Sequence, residues 1–328
     1  MTTPWTMQSL MQLATGYWPA AALNAAVALG VFEALDPAPL TVDDAAKRLN
    51  ASPRHTRELL DALAGLGLLE KQPGKYAIAP GAQKFLSPRG EACMLGALRY
   101  NIDLYPIWGN LAETVRCGKP AVPPHAHLGD DPQRTRRFVM GMDSRALGLA
   151  PSILPSLEIA DATTLLDVAC GAGTFSRLLA QRLPALRVTQ FDLPPVLAIA
   201  QELAQGNPRI HFTAGDYRAD PLPASFDTVL YCGALHQETP EVAAALFQKL
   251  RASLAPGGCA VIVDLMTDAS AVNPVFARLF SINMMLTNHG GRVFTTGEVE
   301  SLLRGAGFTR VTSRILPDIP YGVATAQL

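Results

Sequence analysis

The chain lacks any strong charge imbalance. Its 27 lysines and arginines are offset by 28 aspartates and glutamates, leaving a formal net charge of −1 over 328 residues. There is no global basic field to hold a polyanion, so nucleic acid is not expected as a partner. Long apolar runs are also missing. The richest early stretch, residues 20–35, is interrupted by Asn24, Gly30 and Glu33 and is too short to span a bilayer. The stretch MTTPWTMQSLMQLATGYW has no cationic segment ahead of an apolar one, so neither a secretory leader nor a membrane partner is expected. Cysteine is sparse and scattered. Cys93, Cys117, Cys170, Cys232 and Cys259 include no C-x-x-C pair, which points to reduced thiols and a cytoplasmic protein. What is plentiful is apolar: hydrophobic residues make up 49% and charged residues 17%, enough for sizeable cores in two domains.

Residues 5–35 read as helices, with Leu23, Val27 and Phe32 near one face. Their apolar load is high for a surface helix, so part of this face is expected to meet another subunit. A compact unit follows. TVDDAAKRLN starts with Thr41 as N-cap, and SPRHTRELLDALAGLGLLEK starts with Ser52 as N-cap and Pro53 at the first helical position. Gly65-Leu66-Gly67 stops that helix, and LLEKQPGKYAIAP reads as a hairpin with Pro-Gly in its turn. Helix, turn, helix, hairpin is a winged helix. From Thr41 to Lys75 six cations face five anions, which is no electrostatic footprint for DNA, and Leu59, Leu60, Leu63 and Leu66 suit packing. Dimerisation is therefore the preferred role. Residues 82–160 read as amphipathic helices broken by the Pro-rich GKPAVPPHAHLGDDP. Its His125-Ala126-His127 is read as solvated rather than as a zinc site.

From Thr163 onward the pattern changes. TTLLDVA, RVTQFD, IHFTAGD, FDTVLY and CAVIVDL are short apolar runs separated by helical patterns. That alternation predicts a parallel sheet covered on both faces. FTRVTSRIL and VATAQL add two later strands.

In such a sheet ligands bind beyond the carboxyl ends of the strands. LLDVACGAGTFSRLL places Gly171 and Gly173 there, where glycine allows close approach and positive φ. The lysine that a phosphate-binding P-loop needs is absent, because Thr174 and Phe175 follow Gly173. The dinucleotide fingerprint is only partly met, with Ser176 at its third small position. Asp167 precedes the loop, an anion unhelpful to pyrophosphate and favourable to a cation. Asp192 ends the second strand at the spacing of a ribose-binding acid, and Asp216 ends the third, placed to accept from an adenine amino group. Strand-end acids can also simply cap helices. Three in register with a Gly loop favour a phosphate-free, cationic nucleoside, S-adenosylmethionine.

These motifs together resemble the S-adenosylmethionine-dependent O-methyltransferases with an N-terminal winged-helix dimerisation domain, which include plant caffeate-type and bacterial secondary-metabolite enzymes. LLDVACGAG is similar to the family's L-x-D-V-G-G-G-x-G, with Ala169 and Cys170 replacing two glycines. FDLPPV, AGDY, LAPGGCAVIVDLM and NHGGRVFTTGEVESLLRGAGF resemble the later motifs, so the likeness covers nearly the whole chain. It implies a Rossmann-like α/β domain with a mixed seven-stranded sheet, preceded by a mostly helical winged-helix domain. The expected boundaries are a dimerisation domain at 1–100, a helical linker contributing to the substrate cavity at 101–160 and a catalytic domain at 161–328. A homodimer is expected, acting on a small-molecule methyl acceptor.

The resemblance also implies site residues. The family's base is a His after the fourth strand, here His236 in ALHQETPE, oriented by an acid ending the fifth strand, here Asp264. A second acid usually follows the late Gly-Gly pair; Val293 stands there, and Gln237 replaces the Asp after the base. Asp167, Gly171, Gly173, Asp192, Leu193, Asp216, Tyr217 and Tyr231 are the expected cofactor contacts. Tyr105, Trp108, Phe138, Met142, Met285 and His289 are expected at the acceptor. A phenol with a pKa of about 10 can give its proton to an imidazole of about 6.5 while the methyl moves in line from a sulfonium. The product would be S-adenosylhomocysteine, and no metal is expected. The alternatives are a carbon or nitrogen methyltransferase, metal-assisted through His236 and His289, and a non-catalytic binding protein of the same fold.

Overall fold

The computed structural model describes residues 4–122, 131–159 and 161–328, so the His125–His127 segment lies outside the described residues. The chain divides into two compact units, Met1–Pro106 and Ile107–Leu328.

In the first unit, α1 (Met7–Ala14), α2 (Tyr17–Leu29) and α3 (Val31–Leu35) precede the winged helix. The latter consists of α4 (Val42–Arg48), α5 (Pro53–Gly65) and the hairpin β1 (Leu69–Gln72) and β2 (Lys75–Ile78). Thr41 caps α4 by accepting from the Asp44 N–H. Ser52 sits at the N-cap of α5 without bonding its N–H groups; its hydroxyl pairs instead with His55 Nδ1 at 3.0 Å. The hairpin turn runs through Pro73-Gly74, with Gly74 at φ 75°. Val27, Phe32, Leu60, Leu63 and Tyr76 build this unit's core. Trp5, Met7, Leu10, Met11, Leu13, Tyr17 and Trp18 stay exposed in the single chain. The unit ends with α6 (Pro80–Leu86) and most of α7 (Leu95–Trp108).

The second unit contains α8 (Leu111–Cys117) and the long α9 (Pro132–Ile153), whose N-cap Asp131 accepts from Gln133 and Arg134. Strands and helices then alternate: β3 (Thr164–Val168), α10 (Thr174–Arg182), β4 (Arg187–Asp192), α11 (Pro194–Ala204), β5 (Ile210–Ala214), β6 (Phe226–Cys232), α12 (Pro240–Ala252) and β7 (Leu254–Thr267). Next come α13 (Val275–Thr287), β8 (Phe294–Thr295), α14 (Thr296–Gly305), β9 (Arg310–Ile315) and β10 (Tyr321–Gln327). The sheet order is β5-β4-β3-β6-β7-β10-β9, parallel except for β10, with the two-residue β8 appended to β7. This is the mixed Rossmann-like sheet expected from the alternation; β8 went unforeseen because two residues carry no periodicity.

Successive strand residues point to opposite faces, and the two cores show it. Leu166, Val229 and Ala260 pack on one side with Leu246 and Phe247 of α12 and Val299 and Leu303 of α14. Leu165, Leu230 and Val261 pack on the other with Leu179 and Ala180 of α10, Ile153 of α9 and Ala277 of α13. Strand order reverses between β3 and β6, so the loops after these two strands open at the same place. One is the Gly loop and the other carries His236. Among the described residues no helix is long and apolar enough to cross a membrane.

Candidate active site

The backbone after β3 alternates into left-handed conformations at Ala169 (φ 56°), Gly171 (φ 57°) and Gly173 (φ 66°). The two glycines do different jobs. A Cβ at Gly173 would stand 2.0 Å from Nε2 of Gln190, a fully buried residue of β4. Gly173 therefore exists for packing the loop on the sheet. A Cβ at Gly171 would meet nothing within 4 Å. It would enter open space, which is what a ligand needs. Ala169 holds its left-handed turn despite its Cβ, at a strain of about 1–2 kcal/mol.

Two carboxylates flank this loop. Asp167 is 3% exposed, and burial pushes its pKa up to about 7, opposed by the Ser176 hydroxyl and reinforced by the charge of Asp192. Asp192 accepts from the Gly171 N–H at 2.8 Å and the Leu193 N–H at 2.7 Å. Its pKa also rises to about 6, through burial against those two donors. Burial likewise pushes the Cys170 thiol up. A loop with two acids short of cationic partners, open space at Gly171 and no lysine fits a positively charged nucleoside. It does not fit a phosphate. Asp216 and Tyr217 lie beyond β5. Asp216 accepts from Arg218 N–H at 2.9 Å, and Tyr217 donates to Glu238. Glu238 is 2% exposed and pairs with Arg218 at 2.7 Å, which ties this loop to the segment carrying His236.

His236 lies in a 3-10 turn, Leu235–Gln237, just past β6. Its Nδ1 is 2.7 Å from Oδ1 of Asp264 on β7, and its backbone N–H reaches Oδ2 at 3.2 Å. Asp264 is 1% exposed and also accepts from the Leu265 N–H at 2.6 Å. A carboxylate that accepts here takes the hydrogen on Nδ1, which leaves Nε2 as the ring nitrogen turned away from Asp264. Phe280 of α13 contacts the imidazole edge-on, centroids 4.9 Å apart. The late Gly pair closes behind the turn. Arg292 N–H donates to the His236 carbonyl at 2.8 Å, and a Cβ at Gly291 would stand 2.9 Å from that oxygen.

Other expected residues distribute unevenly. Phe138 packs with Leu193 against Val139, Ala172 and Val196, beside the Gly loop. Met142 is half-buried on the same helix. Trp108 is half-buried and donates from Nε1 to Asn283 Oδ1 at 3.0 Å. Met285 is 36% exposed on α13. Tyr105 is exposed and belongs to the first unit. Tyr231 departs from the cofactor expectation: its ring is wholly buried in the core on β6, edge-on to Tyr217, so only its backbone borders the strand end. His289 is exposed, while His236 is half-buried. Among the described residues no three His, Cys, Asp or Glu gather as a metal site. Val293 is 1% exposed in the apolar core and its N–H donates to Ser281, so no carboxylate stands in for the second acid at that position. The sequence reading missed Asp143. This buried carboxylate of α9 accepts from the Thr174 hydroxyl at 2.5 Å and pairs with Arg177 at 2.7 Å, bracing α9 against the start of α10.

Residues 108–309 match the model of an O-methyltransferase domain, and residues 11–88 match an O-methyltransferase dimerisation domain. The tetracenomycin polyketide synthesis 8-O-methyl transferase of Streptomyces glaucescens is 31% identical over 310 residues, 92% of this chain and 91% of that one. The 3-hydroxy-5-methyl-1-naphthoate 3-O-methyltransferase of Streptomyces sahachiroi is 33% identical over 310 residues, covering 92% and 89%. Human N-acetylserotonin methyltransferase in complex with SAM superposes with a TM-score of 0.90 at 25% identity, covering 100% of this chain and 99% of that one.

Proposed function

The chain belongs to this O-methyltransferase family and is an S-adenosylmethionine-dependent methyltransferase, and on that premise we propose that it methylates a hydroxyl of a small aromatic or polycyclic metabolite with His236 as general base. The observation that carries the proposal is the His236–Asp264 pair, 2.7 Å apart and set beside the acid-flanked Gly loop. When bound, S-adenosylmethionine supplies a methyl group on a positively charged sulfur. Asp167 and Asp192 favour that charge, Gly171 gives it room, and Leu193, Asp216 and Tyr217 border the nucleoside. Gly173 shapes the loop from behind.

Asp264 holds the imidazole with Nδ1 protonated. Nε2 then takes the acceptor's hydroxyl proton as the new bond to carbon forms, and the imidazolium that results is stabilised by the Asp264 charge. One carboxylate does this work, since the second family acid is Val293. Trp108, Phe138, Met142 and Met285 supply apolar surface for a flat acceptor. The winged helix and the exposed α1 and α2 faces are read as a homodimerisation surface. The domain roles expected at 1–100, 101–160 and 161–328 stand as part of this reading. The free, scattered cysteines favour a cytoplasmic setting.

The test is calorimetric titration with S-adenosylhomocysteine and with nicotinamide dinucleotides, on the wild type and Asp192→Ala, followed by methyl transfer to phenolic acceptors with His236→Asn. Binding of the adenosyl thioether alone, weakened in Asp192→Ala, and loss of turnover without loss of cofactor in His236→Asn are expected. Full turnover in His236→Asn would remove the base assignment.

A further inference from the structure

Near the base stands a cation that the mechanism above does not use. Arg145 lies on α9 seven residues after Phe138 and three after Met142, which puts all three on one helical stripe. That stripe runs beside the fully buried one formed by Thr135, Val139 and Asp143. The Arg145 guanidinium sits over the Phe280 ring, 5.6 Å from its centroid, and the same ring contacts His236 edge-on. Arg145 also interacts with Tyr321 of β10, a buried residue paired across the sheet with Leu265, the neighbour of Asp264. Arg145 thus stands one aromatic ring away from the base.

Its charge is not matched by the protein. Asp264 is committed to His236 and the Leu265 N–H. Asp143, two residues away on α9, is committed to Thr174 and Arg177. Among the described residues, no carboxylate lies within ion-pairing distance of Arg145. The Tyr321 hydroxyl and the Phe280 face satisfy part of the half-buried guanidinium but supply no counter-charge, and burying an unpaired charge is unfavourable. Such a guanidinium is a good receptor for a planar anion, whose oxygens it can grip with two parallel N–H bonds.

We propose that Arg145 is a specificity-determining residue that binds an anionic oxygen group on the acceptor, so that the preferred substrates are aromatic rings carrying a carboxylate or an ionised acidic hydroxyl as well as the hydroxyl to be methylated. This rests on the methyltransferase reading above. It adds to that reading the charge of the acceptor and the residue that reads it. The anion on Arg145 and the hydroxyl at His236 fix two points of a flat ring, which sets the position that is methylated.

The test uses the full-length protein saturated with S-adenosylhomocysteine. Three acceptor probes are titrated by calorimetry: 3-hydroxy-2-naphthoate, 2-hydroxy-1,4-naphthoquinone (an acidic enol, ionised at neutral pH) and neutral 2-naphthol. The wild type is expected to favour at least one anion over 2-naphthol by on the order of tens-fold, the usual strength of charge-assisted hydrogen bonds. Arg145→Gln should abolish that preference while leaving 2-naphthol affinity and the melting temperature near wild type. Arg145→Lys should retain part of it, since it keeps the charge and loses the fork. Whichever anion shows the Arg145-dependent preference identifies the group recognised. Equal affinities in the wild type, a preference that survives in Arg145→Gln, or no binding of any probe overturns the proposal. S-adenosylhomocysteine binding is measured separately in each protein, and its absence in the wild type would instead defeat the cofactor reading.

Discussion

Replacing Asp167 by Asn tests whether the cofactor loop is held at the expense of stability. Asp167 is 3% exposed and its pKa rises from 3.8 to about 7, chiefly by burial. Because the folded state binds this proton more tightly than the unfolded chain, the sign is the reverse of a salt-bridged acid. Stability present below about pH 4 is lost progressively as the pH rises towards 7 and is flat above it. At about 1.4 kcal/mol per unit, the ionised carboxylate destabilises the free protein by on the order of 4 kcal/mol above pH 7 and by roughly 2 kcal/mol at pH 5. Asn has the same shape and cannot ionise. Free Asp167→Asn protein should therefore melt higher than wild type by roughly 10 °C at pH 8, with a smaller gap at pH 5. Its S-adenosylmethionine affinity should fall, because the neutral amide no longer favours the sulfonium charge. Scanning calorimetry of both proteins across pH 5–8, with cofactor titrations at pH 8, reads both effects. A melting-temperature gap independent of pH, or a variant less stable than wild type at pH 8, would refute the reasoning.

Three further outcomes follow from the same geometry. Asp264→Asn should lower kcat by about 10²-fold or more with little change in cofactor affinity, since the amide no longer fixes the Nδ1–H tautomer of His236; single-turnover kinetics with a phenolic acceptor measures it. Gly171→Ala and Gly173→Ala should separate cleanly in paired melting and binding experiments. Both put a Cβ at positive φ and lose about 1–2 kcal/mol to it; the first adds a loss of cofactor affinity because its Cβ enters open space, and the second loses considerably more stability because its Cβ meets Gln190 at 2.0 Å. Ala169→Gly should raise free-protein stability by about 1 kcal/mol by relieving a left-handed alanine, readable as a shift in urea midpoint.

The fold was legible wherever periodicity ran long enough. The strands after Thr163 and the helix–turn–helix–hairpin all announced themselves by alternation, caps and Gly or Pro stops. The loop acids were legible because strand ends in an α/β sheet are where ligands bind, and the His236–Asp264 pair because the motif around each resembled a family pattern. What escaped was long-range pairing. Nothing local says that Asp143 meets Thr174 and Arg177, or that Arg145 stacks on Phe280, because those partners are 31 or more residues apart in the chain. Tyr231 shows the opposite. Its sequence position borders the strand end, yet the alternation of β6 turns its ring into the core. Ser52 shows that occupying a capping position does not oblige a side chain to cap.

The Asp143 brace has a practical consequence for anyone redesigning acceptor preference. Phe138, Met142 and Arg145 lie on the same helix as Asp143, whose carboxylate ties α9 to Thr174 and Arg177 in the first turn after the Gly loop. Under the proposed function, substitutions at those three positions are expected to change cofactor affinity together with acceptor preference, because they sit on the braced helix. Changes at Trp108 or Met285, which lie on other elements, leave the brace untouched.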